Sequence, residues 1–66
     1  MPENKPEMIR RIRRQADSTE DKARRLIRTS VSFAGSTLYD KIVRDAESLL
    51  AEALALRQHA DGLELE

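Results

Sequence analysis

The chain has 66 residues, with 12 basic and 12 acidic side chains, no cysteine, no tryptophan and a hydrophobic fraction of 39%. These figures exclude a multidomain enzyme, a disulfide scaffold and a cysteine-ligated zinc finger. No window approaches the roughly 18 to 20 consecutive apolar residues that cross a bilayer, and residues 1–6 lack the apolar core of a signal peptide, so a non-membrane, cytoplasmic chain is expected.

Two glycines and two prolines leave too little turn chemistry for a β fold, so the fold class is all-α. The zero net charge conceals a division. Residues 1–35 hold nine Lys or Arg against five Asp or Glu, and residues 36–66 hold three against seven, giving +4 and −4.

In chain order, Pro6 and Glu7 suit a first helical turn, because proline there loses no needed N–H and an acid complements the helix dipole. The first helix is predicted over about 7–33. Its three-four spacing runs Ile9, Ile12, Ala16, Thr19, Ala23, Leu26, Ser30 and Phe33, a heptad seam with small polar interruptions. Residues 17–21 are its weak point, since Ser18 with Asp21 three residues later resembles an N-cap. A break there would give a monomeric three-helix bundle; the unbroken phase of Ala16, Thr19 and Ala23 favours one continuous helix.

Gly35 predicts a turn at about 34–37, followed by Ser36 or Thr37 as the next cap. The second helix is predicted over about 38–60 with the seam Tyr39, Ile42, Ala46, Leu49, Ala53, Leu56 and Ala60. Gly62 is expected to end it, leaving 61–66 as a frayed tail whose final Leu-Glu has the look of vector-encoded residues. Two long helices on a short loop must lie antiparallel.

With Ile9 and Tyr39 as a positions, a is mostly alanine and d mostly large: Ile12, Leu26, Phe33, Ile42, Leu49 and Leu56. These seam residues are the expected core and dimer interface. A further apolar stripe, Ile27, Val31, Val43, Leu50 and Leu54, widens the face beyond what two helices cover. A second copy of the hairpin answers that need, giving a homodimeric four-helix bundle.

The layering, and the segment Ala46-Glu47-Ser48-Leu49-Leu50-Ala51-Glu52-Ala53-Leu54-Ala55 in particular, resembles the Rop family of small plasmid copy-number regulators. The likeness spans about 7–60 and the polar tail from Asp61-Gly62; a designed helical bundle fits the same layering. The resemblance implies a dimer of hairpins and an RNA-gripping face on paired first helices. In this chain that face would be built from the two arginine clusters, Arg10, Arg11, Arg13, Arg14 and Arg24, Arg25, Arg28, with Arg10, Arg14, Arg25 and Arg28 as nucleic-acid-binding candidates. The same arginines also read as solvated positions paired with Asp17, Glu20, Asp21 and the acidic second helix.

Catalysis and cofactors are not expected. His59 stands alone and makes a poor zinc site. Asp40, Asp45, Glu47 and Glu52 lack the Glu-x-x-His pairing of a di-metal bundle. Ser30, Ser32, Ser36 and Thr37 have no base nearby in sequence, and Thr19 and Ser30 in the seam are expected to bond back to helical carbonyls. The functional expectation is a non-enzymatic self-association module. Its alternatives are an RNA-binding regulator and a small adaptor or chaperone docking another protein.

Overall fold

The protein is described by a computed structural model over residues 3–66. Helix α1 spans Lys5–Ser30, a single 3-10 turn follows at Val31–Phe33, and helix α2 spans Thr37–Leu65. The two helices pack antiparallel as an all-α hairpin.

Helix α1 starts two residues before the predicted onset because Asn4, unremarked in the sequence reading, is its cap. The Asn4 side-chain oxygen accepts a hydrogen bond from the Glu7 backbone N–H at 2.9 Å, satisfying one of the orphan donors of the first turn. Pro6 sits within that turn. The helix does not break near Ser18, so the three-helix alternative is not the fold. Ala16, Thr19 and Ala23 stay in phase and buried, while Asp17 and Glu20 serve as acceptors for Arg57 of α2. Residues that look like helix punctuation are therefore anchoring points between the helices.

The last turn of α1 tightens rather than continuing regularly to residue 33. The Ser30 hydroxyl donates to the Ile27 carbonyl at 2.6 Å, a local bond of the kind that competes with regular helical hydrogen bonding, and the chain passes into the 3-10 turn. Gly35 then takes φ +84°, a left-handed conformation that is cheap for glycine alone. The Ser36 N–H donates to the Phe33 carbonyl at 2.9 Å, closing the reversal. Ser36 caps α2, its hydroxyl accepting from the Leu38 N–H at 3.2 Å.

The C-terminal end corrects the sequence reading: α2 passes through Gly62 and ends at Leu65, so 61–66 is not a frayed tail. A helical glycine costs only about 1 kcal/mol relative to alanine. Against that, Leu63 packs on the layer of Ile9, Ile12 and Ala60, and Asp61 and Glu64 both accept hydrogen bonds from Arg13 of α1.

The hairpin measures 49 × 19 × 14 Å. A helix with its side chains is about 10–12 Å across, so the molecule is one helix thick. Its radius of gyration is 15.2 Å, against about 11 Å for a compact chain of this length. A single layer has no interior for a large side chain.

Candidate functional site

The helices meet along an alanine row. Ala16, Ala23, Ala46, Ala53 and Ala60 are 0–1% exposed, which places the a positions on the line of closest approach, where small side chains let two helices come near each other. Ile9, Ile12, Thr19 and Ser30 are also buried.

On either side of this row lies one face of the hairpin, and the two faces differ in chemistry. The d-side face carries the large seam residues Leu26, Phe33, Ile42, Leu49 and Leu56, all half-buried, with Met8 and Leu63 likewise half-buried near the termini. It is apolar except at Thr19, the buried d position of α1 between Ile12 and Leu26. Tyr39, expected in the seam and core, is instead 39% exposed. At its height α1 has already given way to the 3-10 turn, so no helical layer stands opposite it.

The other face is divided. In its terminal half, Arg57 of α2 donates to Asp17 at 2.9 Å and Glu20 at 3.2 Å. Nearer the termini on the same face, Arg13 of α1 donates to Asp61 at 3.1 Å and also to Glu64. These positions recur at the heptad spacing that leads to Ile27 in α1 and to Leu50 and Val43 in α2. In the turn half the same face is accordingly apolar: Ile27, Val31 and Leu50 are exposed and Val43 is half-buried, with exposed Leu54 one turn from Arg57 at mid-rod. The stripe expected to be covered by a second copy thus sits on the ion-paired face, opposite the large seam residues, so a copy docked on the seam side would leave it uncovered. Hydrogen bonds donated to Glu64 and then Asp61 raise the Arg13 pKa, and those donated to Asp17 and then Glu20 raise that of Arg57. Both guanidiniums remain charged at every working pH.

Of the α1 arginines, Arg11 pairs with Glu3, Arg24 with Glu20, and Arg13 crosses to α2. Arg10, Arg14, Arg25 and Arg28 are exposed and make no ion pair among the described residues. Arg10, Arg13, Arg14 and Asp17 line a shallow surface cleft. The expected pairing is therefore realised with the acidic second helix at Arg13 and with Glu20 of α1 at Arg24, but not at these four.

No group of three or more His, Cys, Asp or Glu gathers into a metal-binding cluster among the described residues, and no helix there is long and apolar enough to cross a membrane. His59 is exposed. Ser30 and Ser36 are engaged with backbone groups at the turn, as an internal helix bond and a cap.

The reach of Arg13 to the acidic second helix is the pairing expected from the sequence; that of Arg57 to Asp17 and Glu20 is not, because only the antiparallel register brings those carboxylates opposite it. Comparison with known proteins returns no match to a protein-family model, a curated protein or a solved structure.

Proposed function

We propose that this chain is a non-enzymatic self-association module. In this reading two hairpins dock through their d-side faces into a homodimeric four-helix bundle, burying Leu26, Phe33, Ile42, Leu49 and Leu56 between them. The observation that carries the reading is surface area. The chain exposes 5082 Å², whereas a compact folded monomer of 7.5 kDa exposes about 4,250 Å². The excess of roughly 800 Å² equals what each partner contributes to a standard protein interface. The d-side face is the apolar surface long enough to supply it. Small and large layers alternating along the seam are also the Rop-like arrangement, which supports the same assembly.

Sedimentation equilibrium at several concentrations tests this. The expected result is a species of twice the 7.5 kDa chain mass; a single-chain mass that does not change with concentration overturns the proposal.

A second reading rests on the four arginines without acidic partners. Arg10, Arg14, Arg25 and Arg28 could engage a nucleic-acid backbone, with affinity falling steeply as salt rises. Replacing all four by alanine should remove that binding and its salt slope. Equal binding by the variant would reject the assignment.

A further inference from the structure

The d-side face allows two ways of docking a second copy, and they differ in which helix meets which. A two-fold axis along the rod places both turns at the same end, with α1 of each hairpin against α2 of the other. A two-fold axis across the rod places the turns at opposite ends, with α1 on α1 and α2 on α2. Both bury the same apolar rows, so hydrophobic area does not choose between them.

The charges bordering that face do. Beyond the d row of α1, the flank at g and c positions carries Arg11, Lys22 and Arg25 and no acid. The matching flank of α2 carries Asp45, Glu52 and Glu66, with Lys41 and His59 as its bases. Lys22 and Arg25 form no ion pair within the hairpin among the described residues, and neither does Glu52; Asp45 is held by Lys41 at 3.0 Å. Ile9, Ile12 and Ala60 share one layer. Counting about 1.5 Å per residue from that layer brings Lys22 and Arg25 level with the stretch of α2 that holds Asp45 and Glu52.

We infer that the second copy docks with its turn at the same end, the basic first helix of each hairpin lying against the acidic second helix of the other. In that arrangement Lys22 and Arg25 border Asp45 and Glu52 of the second copy, twice over by symmetry. Opposite-end docking would set Arg25 beside Arg11 of the second copy and bring the acidic flanks of the two α2 helices together. Complementary charge across an interface fixes register and suppresses the like-charged alternative. The inference rests on the self-association reading and specifies its geometry. One consequence is that the two α1 helices occupy diagonal corners, so Arg10, Arg14, Arg25 and Arg28 form two separate stripes rather than one continuous basic face.

The chain has no cysteine, so a spin label on Ala34→Cys, at the exposed reversal, is unique. Pulsed dipolar spectroscopy of the full chain should give one inter-label distance under about 30 Å, since turns at one end are separated only by interaxial spacings of about 8–10 Å plus the label arms. Turns at opposite ends would lie about 40 Å apart or more, the length of a 26-residue helix, and that distance overturns the inference while leaving the dimer intact. Absence of any intermolecular distance together with a single-chain mass overturns the dimer itself. As a second measurement, Lys22→Glu with Arg25→Glu should weaken dimerisation at least tenfold at low salt or lengthen the distance. An unchanged affinity and distance in that variant would overturn the charge argument.

Discussion

Replacing Leu49 by glutamate separates the two faces of the hairpin. Leu49 is half-buried in the isolated hairpin, and full burial of a leucine is worth about 1.5–3 kcal/mol. Roughly half of that, about 1 kcal/mol, is left to be gained on docking. In the proposed dimer, two-fold symmetry places the change on both sides of the interface, doubling the loss to about 2 kcal/mol. Each buried carboxylate adds a further penalty of at least about 1 kcal/mol for an unsatisfied polar group. The total is about 4 kcal/mol, near a thousandfold in the dimer dissociation constant. Leu54→Glu is the matched control, because Leu54 lies on the ion-paired face and is 56% exposed; exposed substitutions of that kind usually change stability by no more than about 0.5 kcal/mol. Sedimentation velocity over a concentration series, with circular dichroism to confirm retained helix, measures both. If Leu54→Glu dissociated the dimer and Leu49→Glu did not, the docking face would be wrong.

Three further outcomes test the hairpin itself. Gly62→Ala should raise thermal stability by about 0.5–1 kcal/mol, since Gly62 is inside α2 with nothing within 4 Å of an added methyl group; a neutral or destabilising result in chemical denaturation would mean the helix ends before it. Gly35→Ala should cost about 1–2 kcal/mol, the cost of a left-handed backbone for an L-residue, because the space around the site is open and only φ +84° opposes the change. An unchanged melting temperature would refute that strain argument. Ala53→Leu should destabilise by about 1–3 kcal/mol through overpacking of a position 1% exposed, and a more stable variant would show that the helices are not in close approach there.

The division of charge along the chain has two uses in the folded hairpin. Arg13 and Arg57 spend part of it on cross-helix pairs with Asp61, Glu64, Asp17 and Glu20. Such exposed pairs contribute little individually, so their main effect is on register: they agree with only one antiparallel alignment of α1 and α2. Lys22 and Arg25 on one flank and Glu52 on the other make no ion pair among the described residues, and in the proposed dimer they orient the second copy.

The helices, the turn at Gly35 and the identity of the seam were legible in the sequence because each depends on local chemistry: a three-four period, a residue that tolerates positive φ and small polar caps. Alanine at the a positions was enough to mark the line of closest approach. What the sequence could not decide was anything set by the partner helix. The unbroken phase through Ser18 already favoured a continuous helix, which Arg57 holds through Asp17 and Glu20, whereas Gly62 reads as a stop by local chemistry and is carried into the helix by Leu63 and Arg13. Likewise Tyr39 belongs to the seam by spacing, but the end of α1 leaves nothing opposite it. A heptad pattern names which residues turn toward a neighbour; only the antiparallel register determines how far that neighbour reaches, and therefore which of those residues it covers.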